Sequence, residues 1–246
     1  MSDKVNILGV NVDMVNIPQA AEKIMGFFDE DKLHKVYTPN SEILMLAYKD
    51  EQFRDMLNCA ELLTADGIGV VYASKILGKP IKERAAGYDI ACQVLEKIKD
   101  TEHSVYLFGG KPGVAEIAKE NLEKKYPNIK IAGMHDGYFK PEQEAEIVED
   151  INNSGADLLF VCLGAPKQEQ WITRNADKLK VRVAMGIGGS LDVFAGTVQR
   201  APEFFCRHGL EWFYRLVKEP SRAGRMLALP KFGLTVLFNG RKFKQD

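Results

Sequence analysis

Ser104-Val105-Tyr106-Leu107-Phe108-Gly109-Gly110-Lys111-Pro112-Gly113, running on into the amphipathic stretch Val114–Lys125, carries the reading of the fold. An apolar run of strand length stops at a turn rich in glycine and proline, and a helical pattern follows at once. The same succession recurs along the chain. Strand candidates are Lys35–Thr38, Glu61–Ala65, Ser104–Phe108, Ile129–Met134, Asp157–Leu163 and Val181–Ile187. Helical patterns lie between them at Gln19–Phe28, Glu42–Tyr48, Val70–Leu77, Asp89–Lys99, Val114–Lys125, Pro141–Asn152 and Gln168–Lys178.

This alternation predicts an α/β fold, a Rossmann-like, mostly parallel sheet with helices on both faces. Ile7–Met14 reads as a hairpin or an edge strand. No repeat or low-complexity linker interrupts the chain before about residue 195. We therefore expect a core over residues 1–195 and a basic, partly apolar helical appendage over 196–246.

Charge separates along the chain in the same place. From residue 200 onward, 10 Lys and Arg stand against 4 Asp and Glu, whereas the remainder holds 23 against 30. A net charge of −1 for 246 residues gives no reason to expect nucleic acid. The basic segment instead suits phosphates, an acidic membrane surface, or both. Met226–Phe238 is apolar and Arg241-Lys242-Phe243-Lys244 basic, a pairing that can lie in a membrane interface without crossing it. The alternative is that these apolar residues cover an edge of the protein's own core. Left undocked, they could also pair with a second copy, so a homo-oligomer is a further expectation. The first residues lack the pattern of a signal peptide, and no apolar run reaches the ~18 residues of a membrane span. Together these predict a cytoplasmic protein held at the inner face of the membrane. Cys59, Cys92 and Cys162 sit in apolar runs and read as buried, inert thiols. The cysteines and histidines lack metal-ligand spacing, and Asp29-Glu30-Asp31 falls at the wrong end of the sheet, so no metal is expected.

In open parallel sheets, ligands lie beyond the carboxyl ends of the strands. The strand ends read Thr38-Pro39-Asn40, Asp66-Gly67-Ile68-Gly69, Gly109-Gly110-Lys111-Pro112-Gly113, Gly164-Ala165-Pro166-Lys167-Gln168 and Gly186-Ile187-Gly188-Gly189-Ser190. Gly109 and Gly110 either let backbone N–H groups approach a phosphate or simply form a tight turn. Asp66 is either a helix cap or a carboxylate able to deprotonate a hydroxyl. Lys167 and Gln168 occupy a first helical turn, solvated or facing an anion. Arg215, Arg222 and Arg225 have the planar fork that suits diphosphate oxygens, unless they form only a basic surface.

Taken together, Thr38-Pro39-Asn40, Thr64-Ala65-Asp66-Gly67, Gly109-Gly110, Gly164-Ala165-Pro166-Lys167-Gln168-Glu169, Gly186-Ile187-Gly188-Gly189, Arg200-Ala201-Pro202 and Gly209-Leu210-Glu211-Trp212 resemble, in the same order, the WecG/TagA/CpsF glycosyltransferases. The resemblance runs from the first strand to about Arg225 and is nearest to the wall teichoic acid branch. It implies inverting transfer of N-acetylmannosamine from UDP to the 4-hydroxyl of GlcNAc on undecaprenyl diphosphate, without metal or other cofactor. It implies Asp66 as general base. Thr38 and Gln168 would hold sugars or phosphates, and Arg215, Arg222, Arg225 and, more weakly, Arg84 would neutralise the leaving diphosphate; from the strand ends themselves, Asn40, Gly109, Gly110, Gly164, Lys167 and Gly188 are further candidates for substrate binding. Ala223-Gly224 replaces bulkier residues of relatives and weakens a helix there by about 1 kcal/mol. We expect this segment to order over the site at a membrane. The rival readings are a transferase of UDP-N-acetylmannosaminuronate, a nucleotide-binding module without chemistry, and a peripheral membrane adaptor.

Overall fold

The computed structural model describes residues 3–207, 209–218 and 228–243. Two short strands open the chain, β1 (Lys4–Ile7) and β2 (Val10–Asp13), paired antiparallel across the two-residue turn Leu8-Gly9. Both turn residues have positive φ, the geometry whose twist matches that of a tight hairpin. α1 (Ile17–Phe27) follows, started by an Asn16–Gln19 capping box and a proline in its first turn.

Six parallel strands form the main sheet: β3 (His34–Tyr37), β4 (Leu62–Leu63), β5 (Ser104–Gly109), β6 (Lys130–His135), β7 (Leu158–Cys162) and β8 (Val183–Gly186). Their spatial order is β4-β3-β8-β7-β5-β6. The connecting helices are α2 (Ser41–Lys49), α3 (Glu51–Asn58), α4 (Ile68–Ile76), α5 (Gly87–Ile98), α6 (Val114–Lys125), α7 (Glu144–Asn153) and α8 (Lys167–Asn175). β5 and β7 are buried almost throughout, as strands covered on two faces must be. Two apolar clusters show the two faces. One joins Tyr37, Tyr106, Phe108 and Trp171 to the hairpin; the other joins Val36, Leu107, Phe160 and Met185 to α1, α5 and α6.

The expected α/β class, parallel sheet and hairpin are therefore present. Two details differ. β4 pairs over only two residues, because the chain turns away toward the site at Thr64. Glu51–Asn58, unassigned above, is a helix: Asp50 ends α2 and its side chain then accepts from Phe53 N–H to start α3. Cys162 is buried and Cys92 half-buried, but Cys59 is exposed, a correction. It is the C-cap of α3, and its apolar neighbours in sequence do not cover it.

After β8 come the short α9 (Ser190–Phe194) and α10 (Glu203–Arg207), then α11 (Glu211–Lys218) and α12 (Ala228–Asn239). α12 docks on α2 and α4 through buried Phe232 and Val236, which join the hairpin-side cluster. Leu234, Leu237 and Phe238 remain largely exposed, with Phe238 at 72%. The apolar stretch thus divides its residues between covering the core and facing outward.

Candidate active site

The sheet order places its reversal between β3 and β8. The chain leaves β3 toward β4 on one side, while β8 is reached from β7 on the other. Loops diverge there and leave a cleft of about 400 Å³, within the range of small-molecule sites. Its floor comes from the ends of β3, β4, β7 and β8. Gly209, Glu211, Trp212 and Leu229 of the C-terminal segment wall one side.

Thr38, Asn40, Asp66, Arg84, Gly164, Gln168 and Gly188 all line this cleft. Thr38, 6% exposed, donates its hydroxyl to Gly186 O at 3.2 Å, so β3 and β8 are stitched together at their ends. Asn40 is the N-cap of α2; its Oδ1 accepts from the N–H groups of Glu42 (2.9 Å) and Ile43 (3.0 Å). That leaves the amide N–H groups of Asn40 as its donors.

Asp66 is half-buried and enters the cleft on a doubly braced segment. Its N–H donates to Pro39 O (3.1 Å), while Ala85 N–H donates to Ala65 O (2.8 Å) and Thr64 Oγ1 to Ala85 O (3.0 Å). Farther back, the buried Asp13 accepts from Leu63 N–H at 3.0 Å and pairs with Lys23 and Lys4. The N-cap of α4 is Gly67, so Asp66 does not hold that position.

Arg84 is matched to α11. Its guanidinium meets Glu211 at 2.6 Å and Asp89 at 3.7 Å, and Asp66 lies within its electrostatic reach. Burial opposes its charge, but the three carboxylates outweigh that and hold it above the ordinary arginine value. Arg200, which sequence reasoning did not place in the site, is a lining residue as well. It shares Asp89 with Arg84 and stacks 4.8 Å over the Tyr88 ring. The only advance signal for it was the basic Arg200-Ala201-Pro202 string.

Gln168 is 3% exposed, and both ends of its carboxamide are engaged. Oε1 accepts from Gly188 N–H (2.9 Å) and Nε2 donates to Glu169 Oε1 (2.8 Å). Gly164 supplies the carbonyl that receives Gln168 N–H (3.0 Å).

Three expected residues are not brought into the cleft. Lys167 begins α8 but is exposed and does not line it. Gly109 and Gly110 end β5, which lies beyond β7 from the reversal. At Gly109, with φ +130°, a Cβ would stand 2.8 Å from Cys162 Cα and against its carbonyl, so packing alone requires a glycine there. Arg215 lies on α11, with its side chain outside the description, and Arg222 and Arg225 lie outside the described residues. Among the described residues no group of three or more His, Cys, Asp or Glu could hold a metal ion.

Helices of the core, α2, α4, α5 and α8, and the C-terminal α11, each of eight residues or more, begin at the cleft. Their N-termini make the rim suited to anionic groups. Residues 5–246 match the model of the family described as Glycosyl transferase WecG/TagA/CpsF. Among similar proteins, the N-acetylglucosaminyldiphosphoundecaprenol N-acetyl-beta-D-mannosaminyltransferase of Bacillus spizizenii (strain ATCC 23059 / NRRL B-14472 / W23) is 40% identical over 215 residues, covering 87% of this chain and 83% of that one. The protein of the same name from Bacillus subtilis (strain 168) is 37% identical, covering 90% and 89%. That from Staphylococcus aureus (strain MRSA252) is 36% identical, covering 98% and 95%. A match that takes in the hairpin, every strand of the sheet and the helices walling the cleft makes this chain a member of the WecG/TagA/CpsF family of glycosyl transferases.

Proposed function

We propose that the protein transfers N-acetylmannosamine from UDP to the 4-hydroxyl of GlcNAc on undecaprenyl diphosphate, with inversion. Asp66, set in the cleft on a segment braced against Pro39 and Ala85, carries the reading of the mechanism. Its carboxylate takes the proton of the acceptor hydroxyl as that oxygen attacks the anomeric carbon. The bond to the UDP oxygen breaks on the opposite face, and its electron pair leaves with the diphosphate. One base and one displacement suffice for inversion.

Charge supports a role for cations from the C-terminal segment. The described ionisable lining is Glu42, Asp66, Asp89 and Glu211 against Arg84 and Arg200, two negative charges in excess. The helix N-termini at the rim, at about half a positive charge each, offset part of that. A leaving diphosphate brings further negative charge, and Arg215, Arg222 and Arg225 are the proposed cations that meet it in place of a metal. The outward Leu234, Leu237 and Phe238, beside exposed Lys231, Arg241 and Lys242, fit docking on an anionic membrane that presents the lipid-linked acceptor. No helix among the described residues is long and apolar enough to cross a membrane.

The test is mass-spectrometric detection of a disaccharide-diphospholipid from UDP-N-acetylmannosamine and a GlcNAc-diphospholipid analogue, with EDTA present. Product that disappears in Asp66→Asn, with UDP binding retained, is the expected result. Undiminished turnover in Asp66→Asn removes it as the base. Turnover abolished by EDTA and restored by a divalent ion removes the metal-free reading.

A further inference from the structure

Glu169 follows Gln168 in the first turn of α8, is 1% exposed and does not line the cleft. A carboxyl group is an expensive side chain to bury beside a ligand site unless something is done with it. What it does is visible in the amide beside it. Gly188 N–H can only donate, so it selects the oxygen of the Gln168 carboxamide; Glu169 Oε1 then receives one of the two amide hydrogens. Among the described residues no hydrogen bond engages the other N–H of Gln168, a side chain that lines the cleft.

We infer that Glu169 is a positioning residue: it locks the Gln168 carboxamide so that its remaining N–H is offered to an oxygen of the sugar–diphosphate substrate. The inference rests on the proposed transferase reading. Three surroundings favour it. Among the described residues Glu169 Oε2 has no hydrogen-bond partner, so the bond to Gln168 is what the carboxyl offers another side chain. Burial pushes the carboxyl above its ordinary value, against the lowering by the Gln168 bond and by its own backbone N–H. Finally, the amide has nowhere to retreat, since the Gly186 Cα surface lies against it.

A double-mutant cycle separates positioning from bulk structure. Glu169→Leu removes the acceptor at similar volume and is expected to lower kcat/KM roughly tenfold to a hundredfold. Glu169→Gln keeps an acceptor and is expected to recover most of that loss at a matching Tm. In a Gln168→Ala background, Glu169→Leu is expected to cost almost nothing more. The same fold loss in both backgrounds, or no recovery in Glu169→Gln, overturns the inference. Should Glu169→Leu not fold, Glu169→Met takes its place. If the wild type forms no product, the transferase reading fails, and the same cycle read as UDP-sugar affinity by calorimetry decides the role of Glu169.

Discussion

Replacing Gly186 by alanine adds one methyl group and touches the machinery at a single point. The new Cβ would lie 2.9 Å from Gln168 Nε2, 3.2 Å from its Cδ and 3.3 Å from its Cγ. A long exposed side chain would swing away at little cost. Gln168 cannot, because it is buried and tied at 2.8 Å to Glu169 and 2.9 Å to Gly188. Overpacking of this kind costs about 1–3 kcal/mol. Freeing the chain of a glycine returns about 0.5–1 kcal/mol, and a strained or lost hydrogen bond costs about 0.5–1.5 kcal/mol each. The balance is a destabilisation of about 1–3 kcal/mol, which for a chain of this size lowers Tm by roughly 2–10 °C. Displacing the carboxamide by a fraction of an ångström should also lower turnover about tenfold or more. Thermal unfolding and the transfer assay on the same preparation check both. A Tm within about one degree of wild type, with turnover within about twofold, would refute the packing of Gln168 against β8 and its part in the site.

Gly109→Ala should be the more destabilising change, by about 3 kcal/mol or more, because the clash is with backbone and φ is +130°. Urea unfolding reads this, and an unchanged midpoint would return Gly109 to the list of ligand-approach glycines. Arg200→Ala should weaken UDP binding roughly tenfold or more if the guanidinium meets the diphosphate. Equal affinity by calorimetry would leave Arg200 only its Asp89 and Tyr88 contacts. For Glu169, the folded carboxyl lies above its ordinary value of 4.5. Its contribution to stability is therefore complete below that value and lost as pH rises through the raised one. The hydroxyl of Tyr37, the titratable neighbour on β3, is itself pushed up by burial and stays protonated across this range. Glu169→Gln has no proton to lose, so its stability should be flatter toward alkaline pH; parallel curves for the two proteins would contradict the upward shift of the carboxyl.

Strand–helix alternation, the rim at the strand ends and the family were legible in the chain alone, because each rests on local pattern or on a string of short motifs. Each strand and helix announces itself over five to twelve residues through its own apolar period. Membership of the cleft is different. Thr38 meets Gly186 across 148 positions, and that contact exists only because β8 inserts beside β3. The same strand order puts β5, with Gly109 and Gly110, on the far side of β7 from the reversal. Glycine after a strand reads alike whether a ligand or a neighbouring backbone comes close, so sequence could not separate the two. Lys167 and Gln168 are adjacent in the chain, yet a turn of about 100° per helical residue sends one to solvent and the other into the cleft. Arg200 joined the site because Tyr88 and Asp89 of α5 receive it. Local order follows from neighbouring residues; a site is assembled from contacts between distant ones, and only the packed sheet decides which of them meet.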